Sequence, residues 1–245
     1  PGRINQIIAQ LRGVLGAAAD EYAFRNPAEG IKPLRELRPT VDPFSLEEVG
    51  QFLGAVEPYY HDYFVVRFFT GLRTSEIDGL KWRYVDLENG QIHVRETLVK
   101  GETATTKTVS SERLIDLSSP VLAALKRQWT RTGGAPEAYV FQAPSGGPIH
   151  YRNVSNRVWY PTLKRLGLRL RRPYQTRHTA ATLWLAAGES PEWIARQMGH
   201  TDTNMLFSTY SRYVPNLTRQ DGSAIERVLA SRFQSTNGDT VGGER

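Results

Sequence analysis

Apolar residues recur at three- and four-residue spacing from the first positions of the chain. Ile4, Ile7, Ile8, Leu11, Val14 and Leu15 share one face, which predicts a helix over residues 1–24. Such a helix cannot bury its own stripe, so it needs a partner on the main body or in a domain upstream. Residues 25–43 carry four prolines and little periodicity, the pattern of a linker. Ser45 with Glu48 three residues on forms a capping box behind Phe44, and predicts a helix to Val56. A second helix, residues 59–70, is apolar along one side and reads as core; Gly71 ends it, and a short polar helix opens at Arg73.

Between Val85 and Leu117 the period changes to two, with Ile92, Val94, Ile115 and Leu117 flanking a polar middle. This predicts a small antiparallel sheet of about three strands with β-hairpin character, and Lys107 in its turn region. Further helices are expected at 120–130, 153–166 (kinked or broken at Pro161), 176–187, 190–198 and 203–213, with one short strand at 139–142. An amphipathic helix at 222–232 precedes a disordered tail, 234–245. The fold class is therefore mainly α with a small antiparallel β-sheet (α+β).

Composition narrows the chemistry. The 245 residues suffice for one sizeable domain and a fragment of another. Lys and Arg outnumber Asp and Glu by 31 to 25, and that net +6 suits a phosphate backbone as partner without requiring one. No cysteine is present, which excludes disulfides and thiolate chemistry. The five histidines lack ligand spacing, so neither a metal site nor a cofactor is expected. With no run of ~18 apolar residues and no signal-peptide profile, the chain reads as intracellular, away from membranes. Its densest positive segment is Lys164, Arg165, Arg169, Arg171 and Arg172, either a solvated face or a contact to DNA backbone.

Arginine, histidine and tyrosine punctuate an otherwise apolar stretch, residues 173–213, and Arg73 interrupts an apolar run in the same way. Arginine suits phosphoryl transfer because its planar fork pairs two oxygens and keeps its charge. Each residue also has a plainer reading. Arg73 can pair with Glu76, Lys107 can be a solvated edge charge, and His200 can cap a helix. His178 reads as structural, holding a neighbouring segment. Tyr210 competes with Tyr213 one turn along the same face.

Four segments, in order, carry a resemblance: GLRTSEIDGLKW, TTKTVSSERLIDL, YQTRHTAATLWLAAG and QMGHTDTNMLFSTY. They resemble the sequence boxes of the tyrosine recombinases, the phage integrase family. The resemblance implies the catalytic fold of the DNA breaking-rejoining enzymes over residues 44–215. Residues 1–24 would be the last helix of a truncated core DNA-binding domain, 25–43 a linker, and 216–245 a C-terminal helix and flexible tail.

By the same resemblance Tyr210 is the nucleophile that forms a 3′-phosphotyrosyl link. Arg73 and Arg177 bind the non-bridging oxygens, Lys107 is the acid for the 5′-oxygen, and His200 hydrogen-bonds the phosphate or leaving group. Tyr174 stands where the family most often has histidine; it can donate a hydrogen bond but cannot act as an imidazole base. The resemblance further implies metal-independent integration or excision of a mobile element, with no cofactor. Its partner is double-stranded DNA, bound as a homotetramer on two sites and as a monomer without DNA, with an accessory directionality factor. The setting is the prokaryotic cytoplasm, in association with the nucleoid. Type IB topoisomerase activity and a DNA-binding regulator on a decayed recombinase scaffold remain as alternatives.

Overall fold

A computed structural model describes residues 1–36, 41–99, 102–105, 112–210 and 213. They fall into two compact units divided after residue 40. In the first, α1 (Gly2–Tyr22) ends at Ala23 in the left-handed conformation. The segment expected as a linker returns along this helix. The Asn5 amide both donates to and accepts from the Leu34 backbone at 2.8 Å, and Arg12 donates to the Ala28 carbonyl at 3.2 Å. No residue of α1 is buried, and Ile4, Ile7, Leu11 and Val14 stay exposed.

The second unit is mainly helical with a small antiparallel sheet. Its elements are α2 (Leu46–Ala55), α3 (Pro58–Thr70), α4 (Thr74–Asp78), β1 (Val85–Asp86), β2 (Gln91–Val94), β3 (Glu96–Val99), β4 (Glu102–Thr105) and β5 (Arg113–Asp116). They continue with α5 (Ser119–Thr132), α6 (Tyr151–Val154), α7 (Tyr160–Arg165), α8 (Gln175–Ala187), α9 (Pro191–Met198) and α10 (Asn204–Tyr210). The predicted capping box opens α2: the Ser45 and Glu48 side chains each accept from the other's backbone N–H, at 3.1 and 2.9 Å. Among the described residues no helix is long and apolar enough to cross a membrane.

An aromatic cluster fixes how the first helices meet. The Trp159 ring lies 4.7 Å from Phe52, 5.5 Å from Phe64 and 5.6 Å from Phe44, centroid to centroid. A smaller cluster joins α8, α9 and α10 through Ala181, Leu185, Ile194, Met198, Leu206 and Tyr210. The two clusters meet where α3 packs on α8.

The polar middle of the period-two region holds more structure than expected. β1, β2 and β5 form one antiparallel sheet with Ile92 opposite Ile115, while β3 and β4 form a separate hairpin. That hairpin packs against the end of α4, where a Cβ on Gly79 would meet the Leu98 nitrogen at 2.7 Å. The strand expected at 139–142 is reduced to isolated bridges, Lys81 to Tyr139 and Gln142 to Pro148. The helix expected at 153–166 is interrupted just ahead of Pro161, which falls in the first turn of α7. A π-helical segment, Ser155–Trp159, lies between α6 and α7 and absorbs the missing N–H donor and the ring clash of the proline. Lys107, the helix expected at 222–232 and the tail from 234 lie outside the described residues.

One member of the basic run must be corrected. Lys164, Arg165, Arg169 and Arg172 are exposed, but Arg171 is buried and cannot meet a DNA backbone from this position. Its Nη2 donates to Glu48 Oε1 at 2.9 Å, its Nε lies 3.1 Å from Asp42 Oδ2, and its guanidinium stacks 4.2 Å over Phe44. Its carbonyl also accepts from the Trp159 indole at 2.7 Å. Cations adjacent in sequence need not share a face, and here the chain passes beneath the aromatic cluster. Arg171→Ala is expected to lower the unfolding free energy by about 2 kcal/mol or more, and Arg172→Ala by less than about 0.5 kcal/mol. Urea unfolding of the two variants checks this.

Candidate active site

The site is built on the end of α9. Ser190 caps this helix and Pro191 occupies its first turn, where a missing N–H does no harm. Gly199, at φ 64°, turns the chain out in the left-handed conformation. The Gly199 N–H donates to the Arg196 carbonyl at 3.0 Å and the His200 N–H to the Ala195 carbonyl at 2.9 Å, a Schellman closure.

The next three carbonyls point outward, at the negative end of the helix dipole. Each takes an arginine from a different element. Gln197 O accepts from Arg113 Nε of β5 at 2.7 Å, Met198 O from Arg177 Nη2 of α8 at 2.5 Å, and Gly199 O from Arg73 Nη2, just before α4, at 3.3 Å. Arg177 also donates to the Gly71 carbonyl, so one side chain joins the C-terminal ends of α3 and α9.

Glu76 balances this positive cluster. Arg113 grips its two oxygens at 3.0 and 2.9 Å, while Arg73 donates to it from Nη1 at 2.8 Å and from its backbone N–H at 2.7 Å. Burial would raise the Glu76 pKa, but the two guanidinium groups hold it at about 2. Burial lowers Arg177 to about 10, which leaves it charged near neutrality.

His200 lies beside Arg177, with Nε2 at 3.3 Å from Nη2. Arginine only donates, so Nε2 accepts and the imidazole proton sits on Nδ1. That Nδ1 is buried without a partner among the described residues. Burial, then the charges of Arg177, Arg73 and Arg113, lower the His200 pKa to about 4. His200 thus presents a neutral N–H donor next to a fixed positive charge.

Tyr210 reaches the cluster through His178, the neighbour of Arg177. Its hydroxyl lies 2.7 Å from His178 Nδ1. Burial pushes the phenol pKa up, while the Arg177 charge pulls it down. Burial and Arg177 also lower His178 to about 4. The neighbouring segment that His178 holds is therefore the one carrying Tyr210. Tyr213 is engaged elsewhere, its hydroxyl donating to the Val41 carbonyl. Tyr174 is 43% exposed, and its ring packs edge-on against His178 at 5.2 Å.

The phage integrase family profile matches residues 44–216. The chain belongs to the phage integrase family. Among curated members, IntR, a prophage integrase of Escherichia coli (strain K12), is 32% identical over 251 residues, covering 93% of this chain and 61% of IntR. IntQ of the same strain, whose name describes a defective protein, is 33% identical over 245 residues, covering 87% of this chain and 62% of IntQ. The chain thus spans about three fifths of the length of these relatives. Among solved structures, the Tn1549 transposon integrase in complex with circular intermediate DNA superposes with a TM-score of 0.73 at 23% identity, covering 92% of this chain and 79% of that one. A lambda integrase dimer bound to a core site gives 0.61 at 15%, covering 88% and 60%. Likeness at these identities carries the fold: this second unit is a tyrosine recombinase catalytic fold.

Two arginines of this family member escaped the sequence reading. Arg113 falls at the end of the polar middle between Val94 and Leu114, with nothing there to single it out, yet it anchors Glu76. Arg67 lies in the apolar run of α3 and is buried. It donates to Tyr63 Oη at 2.8 Å, to Thr74 Oγ1 at 2.9 Å and to the Pro173 carbonyl at 3.3 Å. It therefore braces the starts of α4 and α8, the segments that carry Arg73 and Arg177. An arginine flanked by valine and phenylalanine on an apolar helix was the available signal. Among the described residues no group of three or more His, Asp or Glu side chains is placed to hold a metal ion.

Glu76→Gln removes the negative charge between Arg73 and Arg113, and is expected to cost roughly 3 kcal/mol of stability. The acid response of the native chain has a defined sign. Glu76 titrates at about 2 when folded against the ordinary 4.5 of a glutamate, so the unfolded chain takes up its proton first. Its contribution is complete above pH 4.5 and is lost as pH falls toward 2. Urea unfolding as a function of pH should show that loss in the native chain and a flatter profile in Glu76→Gln.

Proposed function

We propose that this chain carries the catalytic part of a site-specific DNA recombinase, which cleaves and rejoins DNA through a 3′-phosphotyrosyl intermediate during integration or excision of a mobile element. The observation that carries this reading is convergence: Arg73, Arg177 and His200, distant in sequence, meet at the end of α9. The Tyr210 hydroxyl is one residue away from Arg177 through His178. Phosphoryl transfer depends mainly on positioning and charge stabilisation. Arg73 and Arg177 supply fixed charge for the non-bridging oxygens, and His200 supplies an N–H donor from Nδ1. Tyr210 attacks phosphorus and leaves a free 5′-hydroxyl, to which Lys107 delivers the proton. Tyr174, exposed beside the cluster, acts as a hydrogen-bond donor to the phosphate.

Double-stranded DNA is the partner in this reading. The net charge of +6 and the exposed Lys164, Arg165, Arg169 and Arg172 favour backbone contact. IntR is named a prophage integrase, and the Tn1549 and lambda proteins are seen with DNA. The reading extends to four protomers on two DNA sites, a monomer without DNA, an accessory directionality factor and a place on nucleoid DNA in a prokaryotic cytoplasm.

The test is a covalent adduct with labelled DNA carrying the recombination site recovered from the element's own junctions. The native chain and Tyr213→Phe should form it, and Tyr210→Phe should not. Arg177→Lys should lower cleavage by about 10²-fold or more, with binding reduced only a few-fold because one phosphate contact is one among many. An adduct retained in Tyr210→Phe would overturn the assignment.

A further inference from the structure

We infer that His178 is the general base of strand cleavage: its Nδ1 takes the phenolic proton of Tyr210 as that oxygen bonds to phosphorus. The inference rests on the recombinase reading above and adds a role for a residue that sequence reading left as structural.

The geometry comes first. The His178 imidazole is the only basic group within hydrogen-bond distance of the Tyr210 hydroxyl among the described residues, at 2.7 Å. A buried phenol O–H that only accepted would leave its own proton unpaired. The hydroxyl therefore donates, His178 Nδ1 accepts, and the histidine proton sits on Nε2. Tyr210 is buried in the small core that joins α8 to α10, and His178 lies half-buried at the edge of that core. Tyr174, at the start of α8, packs on the same imidazole but carries a phenol and cannot accept a proton near neutrality. His200 is occupied with Arg177 through Nε2 and presents N–H on its other side.

The surrounding charges tie this base to the substrate. The groups facing His178 are Tyr174 and Arg177 on its own helix and Tyr210 on α10. Burial and the Arg177 charge keep the imidazole unprotonated in the free chain, so it is always ready to accept. A phosphate that binds Arg177 offsets that charge and makes His178 more basic at the moment the proton must move.

The step balances. The Tyr210 Oη–P bond forms and the P–O5′ bond breaks. The phenolic proton passes to His178 Nδ1, giving an imidazolium, and the departing 5′-oxygen takes a proton from its own acid, Lys107 in the present reading. The phosphodiester keeps its single negative charge. In rejoining, the imidazolium returns its proton to the phenol oxygen.

A hydrogen bond that merely seated Tyr210 would show the same distance, so the experiment must separate a base from a prop. Single-turnover cleavage of the recombination-site DNA is measured for the native chain, His178→Ala and His178→Asn. Each is made with tyrosine and with a ring-fluorinated, more acidic tyrosine at position 210. Both substitutions should slow cleavage by about 10²-fold or more, although asparagine can still accept the hydrogen bond. The fluorinated phenol, which needs less help to lose its proton, should recover at least about tenfold in either variant and change the native chain little. Cleavage by His178→Asn at the native rate, or no gain from the fluorinated phenol in a folded variant, overturns the inference. If His178→Ala does not fold, His178→Asn decides alone. Failure of the native chain itself to form an adduct would instead strike at the recombinase reading.

Discussion

Three consecutive carbonyl oxygens at the end of α9 hold the site together. A helix that stops leaves its last carbonyls without intrahelical donors, and the turn at Gly199 meets only the first of that need. The remainder is met by side chains from β5, α8 and the segment before α4. Because each donor is an arginine, satisfying the backbone also gathers positive charge at one point. Structure and chemistry share the same bonds here. The fold cannot be completed without assembling the cluster, and the cluster cannot be dismantled without exposing a helix end.

Such a gathering of like charges requires opposition. Glu76 supplies it from within, buried and gripped from two sides. Arg67 supplies mechanical support from behind, holding Thr74, the neighbour of Arg73, and Pro173, just ahead of the helix that carries Arg177. Arg177 is the member most tightly enclosed, bonded to the ends of both α3 and α9. Its orientation is settled before any substrate arrives, which is the condition under which fixed charge stabilises a transition state well.

Local pattern made much of this legible. The capping box at Ser45, the glycine stops at 71, 188 and 199, and the amphipathic periods gave helices close to those observed. Arg73, Arg177, His200 and Tyr210 stood out because such residues interrupt apolar stretches. Arg113 and Arg67 did not, since their partners lie 37 and 106 positions away in the chain. Arg171 misled for a related reason: counting cations along a run cannot show that one of them turns under Phe44. Hairpin character was legible between Val85 and Leu117, but not that β3 and β4 would pair apart from the β1–β2–β5 sheet, because their polar residues lack an apolar alternation.

The bond from the Tyr213 hydroxyl to the Val41 carbonyl has a consequence for motion. It leashes the chain just beyond α10, the helix that ends at Tyr210, to the very first stretch of the same compact body, ahead of Phe44. Any swing that carried Tyr210 outward would first have to slip that leash, which ties the travel of α10's last turn to the stretch around Val41.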